Sequence, residues 1–241
     1  MNHPSARRPS QLGRPRYGVD APAVPAVLAG TGVACSLLAA RRRRARIPMA
    51  AAGAVLIANA GVYLHTTLHG KLRVWERELD RIGLKGDELL LDLGCGRGMV
   101  LIAAAKRLPA GRAIGVDLWT ADQSGNTLSA ALANAASAGV TDRVAVHTAD
   151  ITALPFANDS FDIVTSALAI HNVRSAKGRY RAIDEAMRVL RPGGQLLVAD
   201  PWPFTRKYRD HLGQGVLRAL GPRYWYGGPW LRTTLLQLVK E

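Results

Sequence analysis

Residues Leu90 to Val100 read LLDLGCGRGMV: an apolar run, three glycines at alternate positions, then an apolar run again. That order restricts the fold more than any other feature of the chain. A strand that breaks into glycines and resumes as a helix uses backbone conformations that other residues avoid, and it leaves helix amides pointing out of the turn. Such a turn lets the backbone come close to a ligand.

Downstream, the pattern becomes regular. Residues 88–93, 112–118, 143–148, 161–166 and 195–200 read as strands. Residues 99–108, 127–138 and 177–190 read as helices, the last stopped by Arg191-Pro192-Gly193-Gly194. Strands that alternate with helices, several of them apolar on both faces, predict an α/β domain with a mostly parallel sheet covered on both sides. Ligands of such sheets bind at the carboxyl ends of the strands.

The residues at those ends narrow the ligand. Met99 stands where a dinucleotide fingerprint needs its third glycine, and no G-K-[ST] follows for a triphosphate. Asp92, beside the turn, repels a pyrophosphate and suits an ammonium group. Asp117 ends the second strand, where a carboxylate accepts hydrogen bonds from ribose hydroxyls. Asp150 follows the third strand and suits an adenine amino group, with Leu118 and Ile151 against the ring faces. A ligand with an amino-acid end, a ribose and an adenine satisfies all three carboxylates, and S-adenosylmethionine is such a ligand.

LLDLGCGRG, GVDL (Gly115 to Leu118), LPFANDSFDIV (Leu154 to Val164) and RVLRPGGQLLVAD (Arg188 to Asp200) occur in that order. In this the chain resembles the Rossmann-like (class I) S-adenosylmethionine-dependent methyltransferases, in particular the type 11 group and its quinone-methylating relatives. The resemblance covers roughly half the chain. It implies a seven-stranded, mostly parallel sheet and cofactor-binding roles for Asp92, Gly94, Gly96, Asp117, Asp150 and, after the fourth strand, Ala167; Cys95, Leu118 and Ile151, beside these, complete the candidate cofactor site. Cys95 reads as a small residue fitting the turn, because nothing near it in sequence would lower a thiol pKa.

Charge is distributed unevenly. The chain carries a net +14, of which residues 1–81 contribute +9, residues 82–200 nothing and residues 201–241 +5. Positive charge outside the catalytic segment points to a membrane surface ahead of a nucleic acid. Two cysteines, Cys35 and Cys95, exclude a disulfide framework and a cysteine metal cluster; no metal is expected.

Residues 21–40 and 47–70 lack Asp, Glu, Lys and Arg, and RRRRAR (Arg41 to Arg46) separates them. Each reaches the roughly 20 residues needed to span a bilayer, so residues 21–70 read as two apolar helices in a membrane hairpin. Placing the catalytic domain in the cytoplasm sends the loop arginines outside, against the positive-inside tendency. Eight basic residues flanking the hairpin outnumber the five in the loop, and a hairpin that only dips into the inner leaflet avoids the conflict.

Four segments are therefore expected: a basic arm (1–20), the hairpin (21–70), a cofactor-binding core (71–200) and an aromatic-rich region (201–241) that completes the sheet and covers the substrate. Methyl transfer chiefly requires alignment of donor and acceptor and exclusion of water, and an oxygen acceptor benefits from a general base. His171, after the fourth strand, is the first candidate base and Asp200 the second. The aromatic residues after 200 suit a small hydrophobic acceptor or a membrane interface. Two alternatives stay open: a non-catalytic, membrane-tethered nucleotide sensor, and a nucleic-acid methyltransferase, which lacks the expected N-P-P-[YF] after the fourth strand.

Overall fold

The computed structural model describes residues 15–120, 123–226 and 232–241. Arg7, Arg8, Arg14 and Trp230 lie outside the described residues. Seven strands form one sheet in the order β3-β2-β1-β4-β5-β7-β6. β1 (Leu89–Leu93), β2 (Arg112–Asp117), β3 (Val144–Thr148), β4 (Phe161–Ala167) and β5 (Leu190–Pro201) are parallel, and β7 (Thr233–Val239) runs antiparallel between β5 and β6 (Val216–Ala219). The chain leaves the sheet in opposite directions from β1 and β4, so these two strands flank the switch point where a ligand crevice forms.

Strand alternation decides what lies beneath the glycine turn. Leu90 faces one core layer with Trp75, Leu79, Leu101 and Ile102, while Leu91 and Leu93 face the other with Ile183, Val189 and Tyr208. Asp92 shares the Leu90 side and points at α4 (Met99–Ala105), whose seven residues are all buried. α5 (Leu128–Ser137) is capped by the Thr127 hydroxyl, which accepts from Ala130 N–H, and α6 (Ala176–Val189) by Ser175 in the same way.

The predicted stop at Arg191 to Gly194 is instead the start of β5. Leu190 already pairs with Phe161, and the ladder then shifts register before Ile163 pairs with Gln195. A bulge absorbs the extra residues, and Gly193, at φ +79°, donates its N–H to Lys240 O.

Two antiparallel helices precede the sheet: α1 (Ala23–Arg41) and α2 (Arg46–His65). They meet backbone to backbone. A Cβ on Gly32 would lie 2.9 Å from Gly53 O, and one on Gly53 2.8 Å from Gly32 O. Small residues at a helix crossing permit this approach, as in membrane helix pairs. The outward faces carry Val27, Val33, Leu37, Ile47, Val55 and Val62, all exposed. α2 continues through a π-helical turn, Thr66–Gly70, into α3 (Lys71–Arg81). Gly70 closes on the C-terminal region: a Cβ there would lie 2.1 Å from Arg223 O.

Candidate active site

A cavity of about 940 Å³ lies at the carboxyl edge of the sheet between β1 and β4. Its volume is near the top of the usual range for small-molecule sites, about 300–1,000 Å³. Asp92, Gly94, Cys95, Gly96, Asp117, Leu118, Asp150, Ile151, Ala167 and His171 all line it. The sequence-predicted site residues are thus brought to one wall.

Gly94, Gly96 and Gly98 have φ of +66°, +52° and +82°. Only glycine fits at the first two: a Cβ on Gly94 would lie 2.2 Å from Ala169 Cβ, and one on Gly96 2.5 Å from Gln123 Oε1. Backbone strain gathers here too. Leu168 (φ +57°) and Ala21 (φ +38°) line the cavity, and Trp119 (φ +59°) sits between two lining residues.

The three carboxylates differ in environment. Asp92 is buried, and its oxygens accept from the Thr165 hydroxyl (2.8 Å) and Leu101 N–H (3.2 Å). Burial pushes its carboxyl up to about 7, with the charge of Asp117 adding to the rise. Asp117 accepts from Gly96 N–H (2.8 Å) at one oxygen and from Trp119 N–H (2.6 Å) and Asn126 Nδ2 (3.2 Å) at the other. It fixes the glycine turn before any ligand arrives. Asp150 is exposed and accepts from Thr152 N–H and its hydroxyl, both at 2.8 Å. Burial, then the charges of Asp92 and Asp117, push the Cys95 thiol well up, which keeps it protonated.

The residues present fit an S-adenosyl ligand. Among the described residues the buried Asn126 carboxamide oxygen on the cavity wall has no hydrogen-bond partner, and its amide nitrogen bonds Asp117. A ribose hydroxyl is the kind of donor such an oxygen lacks. Asn126 ends the polar run from Trp119, WTADQSGN, which by sequence suits part of a lid over cofactor or acceptor but singles out no contact.

His171 is one half of a dyad. His171 Nδ1 lies 2.8 Å from Asp200 Oδ1, and His171 N–H donates to Asp200 Oδ2 (3.1 Å), which also accepts from the Tyr208 hydroxyl (3.2 Å). Asp200 is fully buried. The first and second candidate bases are therefore one unit, a buried carboxyl group held against the Nδ1 side of an imidazole.

A second polar cluster had no assigned role. Asp20 accepts from Lys71 Nζ (2.6 Å), the Thr67 hydroxyl (3.0 Å), Gln123 Nε2 (2.9 Å) and the Tyr226 hydroxyl (2.6 Å). Burial raises its carboxyl, but the Lys71 charge and these bonds outweigh that and hold it below the usual range. Gln123 Oε1 in turn accepts from Arg97 N–H, so the cluster reaches the glycine turn. One signal was available: Asp20 is the sole carboxylate among the first 75 residues. The C-terminal aromatics divide. Tyr208 and Tyr224 are core residues, Tyr224 and Tyr226 line the cavity, and Trp202 is exposed.

Comparison with known proteins agrees with this geometry. Residues 90–194 match a family model described as a methyltransferase domain. A ubiquinone/menaquinone biosynthesis C-methyltransferase, UbiE, of Roseobacter denitrificans is 32% identical over 154 residues, covering 62% of this chain and 58% of that protein. This chain thus spans just under three fifths of that relative. Among solved structures, an S-adenosylmethionine-dependent methyltransferase from Aquifex aeolicus superposes with a TM-score of 0.54 at 17% identity, covering 68% of this chain and 87% of that one. Geranyl diphosphate C-methyltransferase from Streptomyces coelicolor, bound to geranyl diphosphate and S-adenosyl-L-homocysteine, gives 0.57 at 16%, covering 73% and 81%. The fold is that of the class I methyltransferases, and residues 90–194 match the methyltransferase-domain family within it.

Proposed function

We propose that the chain methylates a small hydrophobic acceptor held at a membrane, with a quinol-like ring as the first class to test. The observation that carries this reading is one continuous cavity, lined by the carboxylates of the glycine turn, by His171 and by Val24, Leu28 and Tyr63 of the apolar helices.

The cofactor supplies an electrophilic methyl group on a sulfonium. Asp117, Asn126 and the backbone around Gly94 and Gly96 would hold the ribose and the amino-acid end, Asp92 in its ionised form would pair with the ammonium, and Asp150, with Leu118 and Ile151, would take the adenine. His171 Nε2 accepts the acceptor's proton as it is methylated, and Asp200 and Tyr208 position the ring. A positioned base contributes about 10²- to 10⁴-fold. Ala167 and Leu168 help exclude water from the reacting atoms.

The hairpin supports a membrane location. α1 and α2, of 19 and 20 residues, are about 28 and 30 Å long at 1.5 Å per residue, against a hydrocarbon core of about 30 Å. Both are apolar around most of their circumference, and only 17% of either apolar window is buried. UbiE, by its name, acts in ubiquinone and menaquinone biosynthesis as a C-methyltransferase, which favours a ring with a prenyl tail.

The test uses the full chain in lipid nanodiscs with methyl-tritiated S-adenosylmethionine and a prenylated hydroquinone. Label is expected in the organic phase, lost in His171→Asn. Cofactor binding with no transfer to any prenylated, isoprenoid or soluble phenolic acceptor would support the sensor reading instead.

A further inference from the structure

We infer that the domain-proximal ends of α1 and α2 form an acceptor subsite open to the bilayer, and that Asn59 recognises a hydroxyl or carbonyl oxygen on the acceptor's ring. This deepens the methyltransferase reading and rests on it.

The argument starts from an exception to composition. α2 reads RIPMAAAGAVLIANAGVYLH, and between Arg46 and His65 its one strongly polar side chain is the carboxamide of Asn59. A polar side chain in a segment of spanning length costs free energy unless it has a partner, and it marks a functional position by default. Asn59 lines the cavity and is half-buried. Among the described residues no group hydrogen-bonds its side chain, so both its donors and its acceptor are available to a ligand.

Its neighbours complete the subsite. The two helices touch through Gly32 and Gly53. About one to two turns nearer the core on α1, and about two to three on α2, Leu28, Val24, Asn59 and Tyr63 all line the cavity. Val24 is 42% exposed although it lines the cavity, so it stands at a mouth. The same cavity reaches Gly94, Asp117 and His171. An acceptor entering at that mouth passes from lipid to the reacting centre without crossing water. Its ring meets Asn59 and its apolar tail stays along the outward faces of the helices, where Val27, Val62 and Leu64 are exposed. The occupant is therefore an amphiphile drawn from the bilayer: an oxygenated ring on a long apolar chain. A water-soluble phenol has no use for this route.

The test measures binding apart from turnover. The full chain in nanodiscs, saturated with S-adenosyl-L-homocysteine, is titrated with a diprenyl naphthohydroquinone and with the same ring lacking its tail. Asn59→Leu, which keeps volume and apolar character, is expected to weaken the tailed probe about 3- to 10-fold, the worth of one neutral hydrogen bond in a largely desolvated site. Asn59→Gln is expected to recover part of that loss, and homocysteine-cofactor affinity is expected to stay the same in both variants. The tailless ring should bind the wild type at least 10-fold more weakly than the tailed one. Equal affinity of wild type and Asn59→Leu for the tailed probe overturns the inference, whatever the activity. Asn59-dependent binding with no methyl transfer leaves the subsite standing and defeats the choice of acceptor. Transfer to a soluble phenol without binding of the tailed probe defeats both.

Discussion

Asp92 offers a prediction that depends on no acceptor. Its carboxyl is buried and pushed up to about 7 from an ordinary 3.8. That rise, about three units at 1.36 kcal/mol each, makes its ionised form cost about 4 kcal/mol in the folded protein relative to the unfolded chain. The sign follows from proton counting. Between about pH 4 and pH 7 the unfolded chain has lost this proton and the folded protein keeps it, so stability falls as pH rises through that window. Asparagine has no proton to lose. Asp92→Asn keeps one acceptor for the Thr165 hydroxyl or Leu101 N–H and loses the other, a penalty of about 1–3 kcal/mol that does not change with pH. The stability of the variant relative to wild type should therefore rise by about 2.5 kcal/mol between about pH 5 and pH 8. Urea unfolding of both proteins across that range, without cofactor, measures it. Parallel curves would refute the buried, protonated carboxyl. In the proposed complex the cofactor's ammonium favours the ionised form, so binding near neutral pH should release a proton in wild type and none in Asp92→Asn. Calorimetry in two buffers of different ionisation enthalpy reads that proton.

Three further outcomes are expected. Gly94→Ala places a methyl 2.2 Å from Ala169 Cβ at a φ of +66°; it should abolish S-adenosylmethionine binding in a titration, and retained micromolar affinity would mean the turn opens freely. His171→Asn should lower kcat about 10²- to 10⁴-fold with the cofactor Kd unchanged, and Asp200→Asn should lower kcat by less; a Kd that moves with kcat would make the pair structural. Asp20→Asn leaves Lys71, 5% exposed, without its charge partner, a change worth about 3–5 kcal/mol for a buried pair. A melting temperature unchanged from wild type would show that the arm is not anchored through this ion pair.

The parallel sheet was legible because each element carried its own signal. Leu90, Leu91 and Leu93 report a strand buried on two faces, and the helices read at 127–138 and 177–190 start within a residue of the observed ones, whose Thr127 and Ser175 caps act within three residues. Errors arose where local signal and tertiary pairing disagree. Arg191-Pro192-Gly193-Gly194 looks like a turn to any rule that reads neighbours, yet Leu190 and Gln195 find partners in β4, and a bulge takes up the surplus. The short antiparallel β6 and β7 had no individual sequence reading, since their pairing is settled by β5 beside them.

The same distinction separates the two halves of the cavity. The cofactor wall is built from strand ends, and the carboxyl edge of a parallel sheet is the same place in every such sheet. Reading where β1, β2 and β3 stop therefore locates Asp92, Asp117 and Asp150 without knowledge of what packs around them. The acceptor wall has no such rule. Asp20 and Tyr226 lie 206 positions apart in sequence and hydrogen-bond directly, with Lys71 and Gln123 joining them from two other regions. No local pattern encodes that meeting. The readable trace is an oddity in each segment: one acid in a basic arm and one amide in an apolar helix. Each departure carries a local cost that neighbours alone do not repay, and both become intelligible once they border a common cavity. Residues that break the pattern of their own segment are thus the better guide to the proposed substrate side of the cavity, as residues that complete a pattern are to the proposed cofactor side.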